Sequence, residues 1–316
     1  MANLIKTTEE VRTYLKIDVA EKEESFLPYV PDATEKYIRP WLGEDLLDAL
    51  TENYDESGED DALAALLPYV QRPLARFTFL LAAPHLDLNV TEGGFTVRSN
   101  QTNAPASRER VNAYMQSLEQ LAWDGMEEML KFLEDNKDDY DDWTASDAYT
   151  MALRNFINSA AEFNKHVDIN LSRLAFAQFR NIMDDVESLE IEPVISKAQA
   201  DAIKAEIVSG TLEDETTAII SYLRRAVANF TLSNINIKVD VSQYQYSYHL
   251  QLKDDRRVEY RRNANLYLGK VLEIMDATPA DYPAYEASDQ YDVDRTTYAK
   301  FENATANKIF VFGSPQ

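Results

Sequence analysis

Four aspartates crowd around one tyrosine near the middle of the chain, and they are the densest group of residues that could do chemistry. They are Asp138, Asp139, Asp141 and Asp142, on either side of Tyr140. Carboxylates at this density could bind a metal ion, but a calcium loop also needs a glycine at its turn and a terminal glutamate that binds through both oxygens. The segment lacks both, so we predict no metal site here and expect an acidic surface, solvated or lining a channel.

The other residue types with catalytic potential form no known motif. The three histidines, His85, His166 and His249, lie in separate predicted elements, and the chain has no cysteine. Zinc motifs of the His-Glu-x-x-His type and glycine loops that hold phosphates are missing from the sequence. We therefore predict that the protein is not an enzyme and needs no cofactor. A carboxylate-dependent hydrolase stays open as a weaker alternative, because the separation of two carboxylates is a three-dimensional property.

The charge balance restricts the partners that the chain could bind. Its 316 residues carry a formal net charge of −24 at pH 7, and such a surface repels the phosphates of nucleic acids. We expect no sequence-specific DNA binding, whereas a wall that DNA passes without sticking is compatible with this charge. The sequence has no stretch of about 18 apolar residues, so we also expect no membrane contact and synthesis in the cytoplasm.

The two halves of the chain repeat each other in three places that keep the same order. The aligned pairs are 132–149 with 274–291, 69–79 with 222–232, and 5–11 with 157–163. Three collinear matches indicate a duplicated domain, and a repeat this long is typical of paired domains rather than of a solenoid. We predict module 1 over residues 1–150 and module 2 over residues 151–316, the latter ending in a strand segment.

Apolar periodicity predicts that both modules are mostly helical. Thr7 and Glu10 form the pattern of a capping box at the start of a first helix. After Ser107, apolar residues recur at spacings of three and four, which predicts one long helix with a continuous apolar stripe. The stripe consists of Val111, Met115, Leu118, Ala122, Met126, Met129 and Leu133.

Each module also contains a stretch that alternates between apolar and polar residues, which is the period of a β-strand. In module 1 it surrounds Gly93 and Gly94 and includes Phe95 and Val97. In module 2 it is longer and runs through Ile235, Ile237, Val239, Val241, Tyr244, Tyr246, Tyr248, Leu250 and Leu252. We therefore predict an α+β fold class, predominantly α-helical, in which two tandem duplicated helical modules each carry a β-hairpin arm.

The hairpins supply the first candidates for a subunit interface. Tyr244, Tyr246 and Tyr248 lie on one predicted hairpin face, and Phe95 and Val97 lie on the shorter arm. These side chains are expected to pack either within their own module or against a partner. Base stacking by the tyrosines is disfavoured, since the chain is strongly negative.

The C-terminal segment supplies the remaining interface candidates. They are Ile309, Phe310, Val311 and Phe312. This strand either closes its own domain or docks on a neighbouring subunit. The docking interpretation depends on the similarity of Lys300–Ala304, just before it, to Asn155–Ser159 at the junction of the two modules.

Residues 4–136 resemble a known family. The opening Ile5–Asp18 resembles the start of the small helical head–tail connector (adaptor) proteins of tailed bacteriophages. The resemblance continues through Phe26–Gly43 and the apolar helix around Arg72–Pro84. The stretch Gly94–Ser107 is also similar to uncharacterised phage and prophage proteins of Bacteroidetes. Module 2 shares the resemblance only through the internal repeat.

The resemblance implies a non-enzymatic structural protein of the virion, in which copies form a homo-oligomeric ring around the DNA channel. Its partners would be the portal protein and tail or other connector proteins, and DNA would only pass through without specific contacts. The protein would be made in the host cytoplasm and reside in the virion. The chain departs from the family by being two modules long, so copy number and ring geometry stay open. The alternative is another assembly, tail or cargo protein of a mobile element.

Overall fold

The computed structural model describes residues 3–15, 26–55, 60–86, 88–91, 94–97, 107–238 and 254–293. About 83% of the described structure is helical. The helices are α1 Thr8–Tyr14, α2 Val30–Ala33, α3 Arg39–Leu42, α4 Glu44–Asp55, α5 Asp61–Ala82, α6 Arg108–Asp135, α7 Asp141–Ala145, α8 Asp147–Thr150, α9 Ala160–Asn164, α10 Arg173–Val186, α11 Glu192–Ile195, α12 Lys197–Ser209, α13 Asp214–Lys238, α14 Asp254–Ala277 and α15 Pro283–Glu286. The strands are β1 Leu88–Thr91 and β2 Gly94–Val97.

The predicted α+β class is wrong, and the fold is all-α. Among the described residues the only paired strands are β1 and β2, four residues each, in an antiparallel hairpin. In its register Leu88 lies opposite Val97, and Val90 lies opposite Phe95. An isolated two-stranded hairpin is at best marginally stable, so this one is an appendage to a helical core and does not define a sheet layer.

The second predicted hairpin is wrong where it can be compared with the structure. Ile235 and Ile237, which were expected to start its first strand, lie in helix α13. Each residue added to an existing helix gains a hydrogen bond, whereas a new strand needs a partner strand. The alternation of isoleucine with polar residues is therefore overridden by the helix that precedes it. The hairpin tyrosines, Tyr244, Tyr246 and Tyr248, lie outside the described residues.

The described residues divide into two compact units. Unit 1 contains those of Met1–Leu153 and Ile169–Gln178, and unit 2 contains those of Arg154–Asp168, Phe179–Val239 and Gln251–Gln316. The segment Ile169–Gln178 belongs to unit 1 although it follows the first residues of unit 2. Helix α10 accordingly contributes its first residues to one unit and its remainder to the other.

The core of unit 1 is built around the long helices α5 and α6. Gly125 of α6 faces Pro73 of α5, and a Cβ atom at position 125 would lie 3.3 Å from the ring carbons of Pro73. The missing side chain thus permits a close approach of the two helices. Phe77 of α5 stacks on Tyr37 with ring centroids 4.0 Å apart, and Trp123 of α6 meets the same phenylalanine edge-on at 5.1 Å.

The core of unit 2 is built in the same way around α13 and α14. Phe230 of α13 is fully buried, and α14 buries the side chains Ala264, Leu268, Val271 and Met275. These four recur at spacings of four and three, so they lie on one face of the helix. That face packs into unit 2, which places the other side of α14 at the surface.

Equivalent tyrosines close both units with the same hydrogen bond. In unit 1 the hydroxyl of Tyr140 donates to the carbonyl oxygen of Ala62 at 2.8 Å. In unit 2 the hydroxyl of Tyr282 donates to the carbonyl oxygen of Glu215, also at 2.8 Å. Both bonds tie the turn after a long helix to the first turn of the preceding long helix, so the two units share this closure in sequence and in geometry.

Candidate functional site

The four aspartates form an exposed acidic turn that runs from the end of α6 into the first residues of α7. We use the name acidic turn for Asp138, Asp139, Asp141 and Asp142, all of which are exposed. The aromatic residues between and after them point inward: Tyr140 is bonded to Ala62 as described, and the indole Nε1 of Trp143 donates to the carbonyl oxygen of Trp41 at 3.0 Å. Two buried aromatic anchors therefore hold the turn in place and leave its carboxylates in solvent.

The acidic turn presents negative charge to solvent. Among the described residues no group of three or more histidine, cysteine, aspartate or glutamate side chains is arranged to hold a metal ion. Burial, followed by the nearby charges of Asp139 and Asp60, raises the pKa of Tyr140 to about 12. The phenol therefore stays protonated at neutral pH and acts as a hydrogen-bond donor.

No helix among the described residues is long and apolar enough to cross a membrane.

The predicted interface residues are only partly within the described chain. Phe95 and Val97 lie in β2, across from Val90 and Leu88. The others, Tyr244, Tyr246, Tyr248, Ile309, Phe310, Val311 and Phe312, lie outside the described residues. The use of these residues as a subunit interface stays a prediction.

An apolar surface that the sequence did not single out lies at the start of α6. The predicted stripe of this helix is buried from Leu118 onward, whereas Val111, one member of the stripe, is 46% exposed. Tyr114, in the second turn of the helix, is exposed to a similar extent. The first turns of α6 therefore extend beyond the part of unit 1 that covers the rest of the stripe, and they present apolar side chains to solvent.

A second exposed apolar surface lies on α14. Val258, Arg262 and Leu266 follow one another at intervals of four residues, so they share one face of the helix, which we call the outer face of α14. Val258 is 70% exposed and Leu266 is 55% exposed. A Cβ atom at the nearby Gly269 would meet nothing within 4 Å. This face is opposite the buried residues of α14 and is open to a partner.

Unit 2 contains a buried charged cluster that we call the Glu187 clamp, formed by Glu187, Lys204, Asn155 and Phe156. Glu187 lies at the start of a π-helical turn, Glu187–Ile191, and is 1% exposed. One carboxylate oxygen accepts the backbone N–H of Phe156 at 2.8 Å, and the other lies 2.7 Å from the ammonium group of Lys204. The clamp thus joins the first residues of unit 2 to α12.

Burial raises the pKa of Glu187, and the bonds from Lys204, Phe156 and Asn155 partly oppose that effect. Asn155 is also buried, and its side-chain amide donates to Asp184 at 2.7 Å. A buried carboxylate that lost these partners would be strongly destabilising, because its charge would have neither water nor a counterion. The physical role of the clamp is therefore to hold one backbone segment in one position.

A second charged group holds the other side of the same peptide. The guanidinium of Arg224 donates from Nε to the carbonyl oxygen of Phe156 at 2.9 Å and lies 3.0 Å from Glu162. Burial alone would raise the pKa of Glu162, but Lys165, Arg224 and other basic neighbours outweigh it and lower the pKa. Glu162 is therefore ionised at neutral pH and orients the arginine. Phe156 is held by a charged side chain at both its N–H and its C=O.

A glutamate of α6 caps helix α10 within unit 1. The carboxylate of Glu127 accepts the backbone N–H groups of Arg173 and Leu174 at 2.6 and 3.1 Å. Arg173 in turn donates from Nε to Glu134 at 2.5 Å. A carboxylate at a helix N-terminus satisfies unpaired N–H groups and complements the helix dipole. This cap fixes the start of the helix that leads from unit 1 into unit 2.

Sequence reasoning missed both the Glu187 clamp and the Glu127 cap. Their residues lie tens of positions apart, so no local motif marks them. One signal was present: in the internal repeat, Glu187 aligns with Thr34, and a glutamate that replaces a buried threonine needs a new partner.

A family match covers both halves of the chain. The matching family is described as a family of unknown function (DUF6712), and the match covers residues 38–152, 191–258 and 237–295. These residues are more than half of the chain. The chain belongs to the DUF6712 family. The DUF6712 match includes the acidic turn, α6 and the outer face of α14, and it includes Glu187's partner Lys204 but not Glu187 itself. No curated protein and no solved structure matches the chain.

Proposed function

We propose that this DUF6712 protein is a non-enzymatic structural subunit of a tailed-phage or prophage particle, which assembles into a ring around the DNA passage between head and tail. The resemblance of Ile5–Asp18 and Phe26–Gly43 to head–tail connector proteins motivates the proposal. The observation that carries it is the uncovered apolar start of α6, because a helix that leaves its apolar stripe in solvent marks an interaction surface.

The charge of the chain favours passage of DNA rather than its binding. A net charge of −24 on each copy gives any ring of several copies a negative wall that does not attract phosphates. The acidic turn adds four exposed carboxylates, which belong to no cluster of metal ligands within the described part of the chain. A ring interface is heterologous, so that one patch on a subunit fits a different patch on its neighbour.

Electron microscopy of the purified protein tests the proposal directly. Class averages are collected for the protein alone and mixed with the portal and tail proteins encoded beside it. We expect rings with a central hole wide enough for a DNA duplex. Compact monomers in every mixture would contradict the proposal, and closed or filamentous assemblies without a hole would favour a tail or other assembly protein instead.

A pair of substitutions links that assay to the α6 surface. Val111→Glu combined with Tyr114→Glu is expected to reduce assembly at least about tenfold, because charges in the core of an interface are strongly disfavoured. The control is Val208→Glu on α12, where the side chain is likewise exposed but belongs to no apolar stripe. Equal assembly by both variants would show that the start of α6 is not an interface.

A further inference from the structure

When the aligned positions of the two units are compared, the largest differences in charge occur at two exposed places. The acidic turn of unit 1 aligns in the repeat with residues of unit 2 that are mostly uncharged. These counterparts are Ala280, Asp281, Pro283 and Ala284. Only one of the four is acidic, so the acidic turn is a property of unit 1 alone.

The opposite charge is concentrated in unit 2. We use the name arginine arm for four residues at the start of α14, namely Arg256, Arg257, Arg261 and Arg262. In the same alignment Arg256 and Arg262 correspond to Tyr114 and Gln120 of α6. The arginine arm is therefore a property of unit 2 alone.

Two members of the arginine arm are already engaged within unit 2. Arg261 lies 2.8 Å from Glu190, and Arg257 donates to the carbonyl oxygen of Ser233 at 3.2 Å. Arg256 and Arg262 are exposed, and within the described chain neither makes an ion pair. Their guanidinium groups are thus available to an acidic partner.

The arginine arm overlaps the outer face of α14. Arg262 lies between Val258 and Leu266 on this face, so a partner would meet two exposed apolar side chains with a cation between them. Buried apolar area supplies most of the free energy of association, while charges set the orientation and the rate of encounter. The face combines the two contributions in one place.

We infer that the outer face of α14 docks on the acidic turn of a second copy of the chain. Any two copies repel each other at long range, since each carries a net charge of −24. An approach that brings the arginine arm of one copy to the carboxylates of another offsets that repulsion locally. The donor surface lies in unit 2 and the acceptor surface in unit 1, which is the heterologous arrangement that a ring or filament requires.

This inference rests on the proposed function only in that the copies assemble with one another. It specifies which two surfaces meet: the donor surface lies in unit 2 of one copy, and the acceptor surface lies in unit 1 of the other. The anchors of the acidic turn support it, because Tyr140 and Trp143 hold the four carboxylates in a fixed position, and a preorganised surface loses less entropy when it binds.

Charge reversal on both surfaces tests the inference with the full chain. Arg256→Glu with Arg262→Glu forms one variant, Asp141→Lys with Asp142→Lys forms the second, and the third combines all four changes. Self-association is measured by analytical ultracentrifugation, and assembly with portal and tail proteins is measured by electron microscopy. We expect each double variant to weaken association at least about tenfold and the combined variant to recover most of it, as close interfacial charge pairs do in double-mutant cycles.

The control for net charge is Lys197→Glu with Lys6→Glu, which shifts the charge as much as the arginine variant does. Both lysines are exposed and paired within their own unit, with Asp201 and Asp55. We expect association of this control close to that of the wild type. Circular dichroism verifies that every variant keeps its helices.

The outcomes separate the inference from the proposed function. Rings that form equally well with the arginine variant would overturn the inference and leave the proposed function standing. The inference would also be overturned if the combined variant associated no better than its two parent variants. It would likewise be overturned if the combined changes restored only the thermal stability of the monomer and not self-association. A wild-type chain that forms no assembly alone or with its neighbours would overturn the proposed function, and the inference with it.

Discussion

The first residues of unit 1 and unit 2 occupy the same place in the repeat, yet they are held by different chemistry. In unit 1 the carbonyl oxygen of Leu4 accepts a neutral bond from Gln71 at 2.8 Å. In unit 2 the equivalent Phe156 is held by Arg224 at its carbonyl oxygen and by Glu187 at its N–H. The same arrangement of helices therefore accommodates either a neutral or a charged side chain that holds this segment.

The π-helical turns beside these anchors show the same contrast. In unit 1 the turn starts at Thr34, whose hydroxyl donates to the carbonyl oxygen of Val30 in its own helix at 2.8 Å. In unit 2 it starts at Glu187, which must find partners in other elements. A threonine can be satisfied locally, whereas a buried carboxylate depends on tertiary structure. Unit 2 is thus more dependent on long-range contacts, and it should be more sensitive to substitution.

The largest expected effect comes from removing the charged anchor. Glu187→Ala leaves the ammonium of Lys204, which is 22% exposed, without its partner and the N–H of Phe156 without an acceptor. Breaking a buried ion pair in this way costs about 3–5 kcal/mol. The matched change Thr34→Ala in unit 1 removes one local hydrogen bond and should cost about 1 kcal/mol. Native-state hydrogen exchange, resolved by peptide, measures each unit separately.

A double substitution sharpens this prediction. Thr34 and Thr51 of unit 1 align with Glu187 and Lys204 of unit 2, and Thr51 also bonds within its own helix, to Leu47. Glu187→Thr with Lys204→Thr should recover much of the stability that Glu187→Ala loses. Equal losses from Glu187→Ala and Thr34→Ala would show that the two anchors are energetically alike, against our expectation.

The next effect concerns the backbone between α3 and α4 in unit 1 and between α11 and α12 in unit 2. Gly43 has φ +84, and a Cβ atom there would lie 2.8 Å from the Cβ of Ser146. Gly43→Ala should therefore destabilise unit 1 by about 1–3 kcal/mol. Ser196 holds the equivalent place with φ 69 and ψ 150, a conformation that glycine adopts without strain. Ser196→Gly should instead stabilise unit 2 by about 1 kcal/mol, because a glycine N-cap is only slightly worse than serine.

Thermal unfolding of the two variants beside wild type measures these opposite signs. Ser196→Ala is the control, since it keeps the strained backbone and removes the hydroxyl that accepts the N–H of Gln199 at 3.2 Å. It should be destabilising by about 1 kcal/mol. A stabilising Ser196→Ala would mean that the hydroxyl, rather than the backbone, is the unfavourable element.

The smallest effect is a dependence of stability on pH in unit 2. The pKa of Glu187 is raised by burial, so the folded state binds this proton more tightly than the unfolded state does. Its contribution is complete below the unfolded pKa, which is about 4.3, and is lost as pH rises through the raised value. Glu187→Gln should therefore gain stability relative to wild type as pH rises across this window. Hydrogen exchange of unit 2 at several pH values measures the difference, and a constant difference would contradict the raised pKa.

Local patterns predicted the helices well. The capping box of Thr7 and Glu10 is present as expected, and the stripe on α6 is buried at Leu118, Ala122 and Met126. Such features depend on residues within one helical turn of each other, so all the residues involved can be seen together in a short stretch of sequence. The strands were harder to predict, because alternation over a few residues does not say whether a preceding helix will continue. Ile235 and Ile237 were predicted to lie in a strand, and they lie in α13 because that helix continues through them.

The sequence by itself determined the composition of the surface, the repeat and the helical periodicity. The charge of −24, the four aspartates of the acidic turn and the alignment of Tyr140 with Tyr282 can all be read without coordinates. These are properties of residue type and spacing, and they do not depend on which distant elements meet.

Tertiary structure alone decided how each segment is held and which apolar residues stay uncovered. Glu187 meets Phe156 and Lys204 only because three separate elements converge, and Val258 is exposed only because α14 turns its other face inward. Burial and pairing are properties of the packed chain, since the same glutamate or valine costs little in water and much in a core. The fold therefore sets the anchors of each unit and the surfaces that it offers to other molecules.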